Sequence, residues 1–405
     1  MSVDLRTRRD DQVPPVDAGE LFTTTLPEAL ERHRKAMEAG AVRLRLRTLT
    51  VEVDGSAWTL ASNAGHIEVR SGRDDGARVR FSAGALSDLV NDQATPIGYF
   101  SAGRLDMPEG GLGDLLDWWL VLRGALDARP LYVPGAVSFH SRDGGALDLK
   151  RSFFPDDDSD EMRHFLHEAG FLHLRGVFRE DEMAAISADM DRAAPTYRED
   201  DGKSWWATLD GGERCVVRMQ AFDRHSETTA VLLEDPRFTR IGEIPGDGHT
   251  HRGLEGNRIE ALFKPLGVVD GISDIPWHKD CSLGRHSYEC CSLTVGISVT
   301  GAGSTSGQLG VVPGSHRALV WPALTPPVGL PQVELPTQTG DVTVHLSCTL
   351  HRAFPPIERE RRVMYTGFRL PAVSPEAAEA AVAGRKRLGQ IREAAPRTVS
   401  QEPAA

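Results

Sequence analysis

The chain has 405 residues, of which 40% are hydrophobic and 26% are charged, so it is long enough for about two to three globular domains with cores of their own. Its formal net charge of −12 argues against a nucleic-acid partner, because the phosphate backbone requires a basic face, and it contains no apolar run of the ~18 residues that predict a membrane span. Five cysteines without a CxxC pair and a polar N-terminus favour a cytoplasmic protein with reduced thiols.

The first third of the chain predicts a charged, disordered arm (residues 1–18) followed by a small α+β domain (residues 19–130). Apolar residues at helical spacing predict a helix over Leu26–Gly40. Two stretches of alternating polarity follow, separated by Asp54-Gly55, a dipeptide typical of a tight hairpin turn. Helical patterns return over residues 85–128, and residues 131–160 read as a linker rich in turn residues.

The remainder predicts a mainly-β domain over residues 161–375, with helices at its start and a C-terminal helix and polar tail over residues 376–405. Regular short strands with Pro/Gly turns are typical of a β-sandwich, jelly roll or barrel. The clearest strands cover Arg258–Leu266, Glu289–Thr300, Gly340–Leu350 and Arg361–Leu370. Within the second of these strands, Leu293, Val295 and Ile297 alternate with polar or small residues, which predicts one buried face.

The stretch WHKD carries the first candidate metal ligands, His278 and Asp280. Residues at i and i+2 on a strand share a face, and an imidazole with a carboxylate supplies two of the three ligands of an Fe(II) facial triad. A second histidine is needed, and His345 and His351 both lie downstream in GDVTVHLSCTLHRAF. Arginines at 361 and 362 open the next strand, where a cation can bind a carboxylate.

The order of WHKD (277–280), GQLGVVPGSH (307–316), GDVTVHLSCTLH (340–351) and an arginine eleven residues after the last histidine resembles the phytanoyl-CoA dioxygenase family over residues 160–372. The resemblance implies an Fe(II)/2-oxoglutarate oxygenase built on a double-stranded β-helix, with O2 as second cosubstrate. It implies that the ligands are His278, Asp280 and His351, with His345 beside them and not a ligand. For 2-oxoglutarate it implies that Arg362 binds the C5 carboxylate, with further contacts from Arg218 and Thr294.

The same resemblance implies that 2-oxoglutarate is oxidised to succinate and CO2 while an unactivated C–H bond is hydroxylated; desaturation and ring formation stay open. Asp280 occupies the position that halogenases leave open for halide. The family often has His-Gly-Ser where this chain has His351-Arg352-Ala353. We therefore expect one hydroxyl contact to 2-oxoglutarate to be missing and Arg352 to reshape the substrate side. Trp205 and Trp206 are either part of a substrate lid or packed surface.

Residues 19–130 contain SAGALSDLVND, SAGRLDM and a final amphipathic helix, and together these resemble the sterol-carrier-protein-type domain. That resemblance implies a hydrophobic tunnel for lipids, whereas a module for packing or dimerisation is the plain alternative. The predicted function is hydroxylation of a hydrophobic small molecule such as a lipid, terpenoid or polyketide. A non-catalytic lipid-binding protein with a degenerate barrel and a metal enzyme without 2-oxoglutarate are the alternatives. The sequence indicates no oligomeric state.

Overall fold

The structure is a computed structural model, and it describes residues 15–101, 103–251, 257–271, 275–283, 292–322, 328–371, 374–376 and 379. Most of the predicted disordered arm and of the predicted C-terminal helix lies outside these residues. None of the described helices combines the length and apolar character that a membrane crossing requires.

The N-terminal unit is a five-stranded sheet covered by helices. Its strands lie in the order β3-β2-β1-β4-β5, and β1 and β4 are parallel while the other neighbours are antiparallel. Asp54 and Gly55 both take positive φ between β1 and β2, as the predicted hairpin requires. Its elements are α1 Ala18–Glu20, a π-helical turn Leu21–Thr25, α2 Leu26–Arg32, α3 Arg34–Leu44, β1 Leu49–Val53, β2 Ser56–Asn63, β3 His66–Ser71, β4 Ala77–Phe81, α4 Ala83–Val90, α5 Pro96–Ser101, β5 Asp106–Glu109 and α6 Leu112–Leu126.

Helix α6 supplies much of the N-terminal core because apolar side chains surround most of its circumference. Trp118 and Trp119 are both almost fully buried, and the indole N–H of Trp118 donates to the Arg47 carbonyl at 2.7 Å. Leu319, from far along the chain, belongs to the same core. The N-terminal unit is therefore packed onto the rest of the molecule by side chains from both sides.

The second unit consists of two β-sheets that fit a jelly roll. The larger sheet has the order β11-β7-β8-β10-β18-β13-β16-β6, with β9 beside β18, and the smaller has the order β12-β17-β14-β15. Its elements are α7 Ser159–Ala169, β6 Phe171–Leu174, α8 Glu180–Ala193, β7 Ser204–Leu209, β8 Arg214–Met219, α9 Glu227–Leu232, α10 Pro236–Glu243, β9 Thr250–His251, β10 Glu260–Lys264, β11 Val268–Asp270, β12 Ile275–His278, β13 Ser292–Ser298, β14 Leu309–Val311, β15 Val333–Leu335, β16 Val342–Leu346, β17 His351–Ala353 and β18 Arg361–Arg369.

The larger sheet buries one face against helices and leaves the other for the interior between the sheets. Leu293, Val295 and Ile297 lie in the helix-side core, as their alternation predicts. Met364 and Phe368 on the neighbouring strand β18 join the same core. Because side chains alternate along a strand, Thr294 and Gly296 face the interior. Strand parity therefore decides which side chains can reach the space between the sheets.

Candidate functional site

Three potential metal ligands lie close together at one end of the neighbouring strands β12 and β17 of the smaller sheet. His278 ends β12, Asp280 opens the short 3-10 helix after it, and His351 opens β17, where it is the register partner of His278. One donor atom from each lies within 4.8 Å of the others. The two histidine Nε2 atoms are 3.4 and 3.5 Å from the same carboxylate oxygen of Asp280. Two imidazoles and one carboxylate around one point form the donor set that suits Fe(II) with open positions.

Backbone carbonyls fix the tautomers of both histidines. The Nδ1–H of His278 donates to the Pro276 carbonyl at 2.7 Å, and that of His351 donates to the Thr349 carbonyl at 3.0 Å. The Nε2 lone pairs are consequently directed toward the centre of the site, as metal-binding histidines require. The residues therefore fit a bound metal ion without rearrangement of their ring orientations.

Burial lowers the pKa of His278, and the neighbouring His351 lowers it further. Burial opposes ionisation of Asp280, but His351 and His278 outweigh it and hold the pKa of that carboxyl well below its usual range. A neutral imidazole beside an ionised carboxylate is the protonation state that binds a divalent cation. The pKa directions of His278 and Asp280 therefore both favour the forms that bind a metal ion.

His345 lies directly behind the ligand set. Its Nε2 is 3.4 Å from the second carboxylate oxygen of Asp280, and its ring centroid is 4.0 Å from that of His351. The side chain is 1% exposed, and neither ring nitrogen forms a hydrogen bond within the described part of the chain. Buried imidazole nitrogens without partners are costly, and a bound group in the site would satisfy them.

Thr294 contacts the ligand set itself. Its hydroxyl donates to Asp280 Oδ2 at 2.6 Å and so orients the carboxylate. The resemblance implies a contact of this hydroxyl with 2-oxoglutarate, and in the structure the hydroxyl is bonded to the candidate metal ligand Asp280. A direct cosubstrate contact from Thr294 stays a prediction.

Arg362 lies on the helix side of the larger sheet, away from the interior. Its guanidinium forms ion pairs with Asp191 at 2.8 Å and Glu360 at 3.3 Å, and it bonds to Ser187 on α8. It also stacks over Phe263, its register partner on β10. The resemblance assigned the C5 carboxylate to Arg362, but strand parity places this side chain with Met364 and Phe368 in the outer layer.

Arg361 has the opposite orientation and was not selected from the sequence. It is 1% exposed, its Nη1 donates to the Gly307 carbonyl at 2.7 Å, and its Nε has no hydrogen-bond partner among the described residues. Gly307 precedes β14 of the smaller sheet, so the guanidinium crosses the interior from one sheet to the other. The signal in the sequence was the alternation of β18, in which Arg362, Met364 and Phe368 share the outer face.

Arg218 faces the interior but is engaged by protein groups. Its guanidinium pairs with Glu260 and lies 4.3 Å from the centre of the Trp205 ring. Glu260 is the register partner of Tyr365 on β18, which faces the interior on the same side as Arg361. Trp206 packs against the helix-side core instead. The two tryptophans thus lie on opposite faces of β7.

Arg352 faces away from the three candidate metal ligands. It is sandwiched between the rings of Trp277 and Phe354, at 5.8 and 4.4 Å from their centroids. Because His351 precedes it on a strand and faces inward, Arg352 faces the other side of the smaller sheet. The expectation that it reshapes the substrate side stays a prediction, and in the structure its guanidinium packs on Trp277 and Phe354.

Residues 166–362 match the model of the family described as phytanoyl-CoA dioxygenase (PhyH). No curated protein sequence matches the chain.

Solved structures provide three further likenesses. EctD from S. alaskensis, with 2-oxoglutarate and 5-hydroxyectoine, is 17% identical with a TM-score of 0.42, over 59% of this chain and 86% of that one. AviO1 from Streptomyces viridochromogenes Tue57 is 21% identical with a TM-score of 0.41, over 54% and 97%. The 2-oxoglutarate-dependent epimerase SnoN from nogalamycin biosynthesis is 18% identical with a TM-score of 0.39, over 54% and 88%.

Proposed function

We propose that this chain, an Fe(II)/2-oxoglutarate-dependent non-haem enzyme, hydroxylates an unactivated C–H bond of a hydrophobic small molecule such as a lipid, terpenoid or polyketide. In the overall reaction, substrate, 2-oxoglutarate and O2 give hydroxylated substrate, succinate and CO2. The observation that carries the proposal is the convergence of His278, Asp280 and His351 on one point between two sheets. A cytoplasmic location fits the cysteine usage.

In this proposal His278, Asp280 and His351 hold Fe(II), which when bound activates O2 at the open positions of a facial triad. The Thr294 hydroxyl orients the Asp280 carboxylate through its second oxygen, and His345 Nε2 lies 3.4 Å from the same oxygen. The carbonyls of Pro276 and Thr349 keep both imidazoles in the tautomer that presents Nε2 to the metal. The protein thus supplies a ligand set whose side chains are oriented by hydrogen bonds before a metal ion binds.

We infer that Arg361, and not Arg362, binds the distal carboxylate of 2-oxoglutarate. A buried guanidinium with an unsatisfied Nε is costly, and a carboxylate is the partner that satisfies it with two parallel bonds. Arg362 already has Asp191 and Glu360 as anionic partners on the helix side. The interior orientation of Arg361 supports this assignment, and its adjacency to Arg362 in sequence explains why spacing alone selects the neighbour.

The interior face beyond the ligands supports a substrate with an apolar body and a polar group. Trp205 and Tyr365 supply aromatic surface there, and the Arg218–Glu260 pair lies between them. This arrangement also favours a substrate role for Arg218 over the cosubstrate contact first assigned to it. The alternative, a non-catalytic lipid-binding protein, requires a degenerate site, and the donor set is complete.

The N-terminal unit stays a candidate lipid-binding domain. A sheet covered by helices, with a largely apolar core, supports the sterol-carrier-like resemblance. In this interpretation the unit captures a hydrophobic substrate for the neighbouring site. Lipid binding by the full chain, measured by displacement of a fluorescent fatty acid, tests this part of the proposal separately.

Succinate formation from 2-oxoglutarate tests the central proposal. The purified chain is incubated with Fe(II), ascorbate and 2-oxoglutarate, alone and with a panel of lipids, terpenoids and polyketides, and succinate and oxidised product are quantified. We expect uncoupled succinate formation that rises with one class of compound. His278→Ala should abolish it, while His66→Ala, on an exposed strand of the N-terminal unit, should not. Full turnover by His278→Ala would refute the ligand assignment, and no succinate under any condition would refute the oxygenase activity.

A further inference from the structure

One segment, residues 317–322, connects the N-terminal unit to the iron ligands, and we name it the strap. It follows the PGSH turn after β14. Its residues alternate between two cores: Leu319 belongs to the core of the N-terminal unit, whereas Ala318 and Val320 belong to a small cluster beneath the smaller sheet. The strap is therefore fixed from two sides at once.

On its N-terminal side the strap is held by a specific hydrogen bond. The indole N–H of Trp321 donates to Asp117 Oδ1 on α6 at 2.8 Å. The Trp321 ring lies over Gly113, where a Cβ atom would be only 3.2 Å from the ring. Burial raises the pKa of Asp117 to about 6, although the Trp321 bond opposes this rise. The indole thus occupies a defined position on α6.

On its other side the strap supports the strands that carry the ligands. The Pro322 carbonyl accepts from the backbone N–H of Lys279 at 2.8 Å, and Lys279 lies between His278 and Asp280. The Lys279 ammonium is buried and donates to the Ser315 carbonyl at 3.0 Å. Ala318 and Val320 pack in one cluster with Leu350, which precedes His351, and Trp277, which precedes His278. A chain neighbour of every proposed ligand therefore contacts the strap or the turn before it.

A second contact reaches the same place directly. Helix α5 of the N-terminal unit packs against the turn Asp280–Leu283, which contains the carboxylate ligand. Helix α5 thus contacts the Asp280 turn directly, and α6 reaches the neighbouring Lys279 through Trp321 and Pro322. Ligands held within tenths of an ångström by their surroundings bind metal more tightly than loosely held ones.

We propose that the N-terminal unit is a structural part of the iron site, with Trp321 as a positioning residue that acts through the strap on His278 and Asp280. The proposal rests on the ligand set proposed above. It assigns the N-terminal unit a function that does not depend on lipid binding. Trp321 is not one of the proposed ligands, and its effect reaches them through Pro322 and Lys279.

The test compares two tryptophans of the full-length chain that each donate one indole hydrogen bond. Trp321→Phe removes the bond to Asp117, and Trp118→Phe removes the bond from the same helix α6 to Arg47. Both variants should lower the melting temperature by a few degrees, about the effect of one lost hydrogen bond. Co(II) serves as the spectroscopic probe for the site, and its affinity is titrated by the d–d absorption band.

We expect Trp321→Phe to weaken Co(II) binding about threefold or more, and Trp118→Phe to leave it as in the wild type. Asp117→Ala, which removes the acceptor, should reproduce the Trp321→Phe result. A change below threefold in both Trp321→Phe and Asp117→Ala, or an equal loss in Trp118→Phe, would overturn the proposal. His278→Ala tests the ligand set separately from the strap. If this variant binds Co(II) like the wild type, the proposed ligand set is wrong. If it loses Co(II) binding, the ligand set stands, and the Trp321→Phe and Asp117→Ala results alone decide whether the strap positions it.

Discussion

At the scale of single residues, the adjacent side chains of Arg361 and Arg362 point to opposite faces of β18. Only the one that faces the interior can bind a 2-oxoglutarate carboxylate there. Arg361 and Arg362 are chemically equivalent, and the family spacing of eleven residues selects Arg362. In the structure Arg362 pairs with Asp191 on the helix side of the larger sheet, whereas Arg361 is buried in the interior between the two sheets. A one-residue difference reverses the face of a strand, so the choice depends on register and not on composition.

Substituting each arginine by glutamine distinguishes the two. Arg361→Gln should weaken 2-oxoglutarate binding about 30-fold or more, because a buried carboxylate would lose its charged partner. Arg362→Gln should leave that affinity nearly unchanged and lower stability by about 1 kcal/mol or less, since its ion pairs are partly exposed. Isothermal titration of 2-oxoglutarate into the Co(II)-loaded chain provides the measurement. A large loss of 2-oxoglutarate affinity in Arg362→Gln and none in Arg361→Gln would show that Arg362 binds the distal carboxylate.

We expect His316 to make the stability of the folded chain depend on pH. Burial lowers its pKa to about 3 in the folded protein, against an unfolded value of about 6.5. A lowered pKa means that the unfolded chain takes up the proton first, so the stability present above about pH 6.5 is lost as the pH falls toward 3. Replacement by glutamine, which keeps a donor for the His167 carbonyl, should remove up to ~1.4 kcal/mol per pH unit of this slope. The free energy of unfolding is measured by urea unfolding at pH 7 and at pH 5 for both proteins. An equal change with pH in the wild type and in the glutamine variant would contradict the role of His316.

At the scale of elements, the turn before β16 sets the register of the strand that carries His345. Gly340 has φ +84°, and a Cβ there would overlap the Phe178 carbonyl oxygen. The Asp341 carboxylate accepts from the backbone N–H groups of Gly176 and Gln338 and from His173. The Asp341 carboxylate thus connects β16 to β6 and the loop after it, and the Phe178 carbonyl leaves no room for a side chain at Gly340.

Gly340→Ala is therefore expected to destabilise the chain by about 2–4 kcal/mol, the sum of left-handed strain and steric overlap. Gly212→Ala is the matched control, because Gly212 has φ +80° in the β7–β8 turn and no atom lies within 4 Å of the methyl group that alanine would add. It should cost about 1 kcal/mol. Denaturant unfolding of both variants gives the comparison, and equal losses would show that the carbonyl contact at Gly340 is not limiting.

At the scale of the whole molecule, the shared core around Leu319 couples the N-terminal unit to the oxygenase unit. Leu319 is 3% exposed within the N-terminal core, although it lies almost two hundred residues downstream of α6. Tyr132, which follows the N-terminal unit directly, is buried with Val312 and Leu350 of the second unit. Because Leu319 and Tyr132 are buried in clusters shared between the two units, unfolding one unit alone would expose apolar surface of the other and raise the free energy of that step.

We expect one cooperative thermal transition for the full chain, because exposing Leu319 and Trp321 on separation of the units costs about 3–5 kcal/mol. Trp321→Ala should lower this coupling and divide the calorimetric trace into two transitions. Differential scanning calorimetry of the metal-free protein is the measurement. Two well-separated transitions in the wild type would contradict the coupling.

The sequence by itself identified the candidate metal ligands His278, Asp280 and His351 by their donor atoms and their order, and the structure brings these three side chains together. The sequence also determined the alternation of β13 and the Asp54-Gly55 turn, since these depend on local periodicity and backbone preference. Only the tertiary structure decided which of Arg361 and Arg362 faces the interior, that Arg352 faces away, and that Trp321 reaches α6. These depend on strand register and on contacts between residues far apart in the chain, and neither is encoded in local spacing.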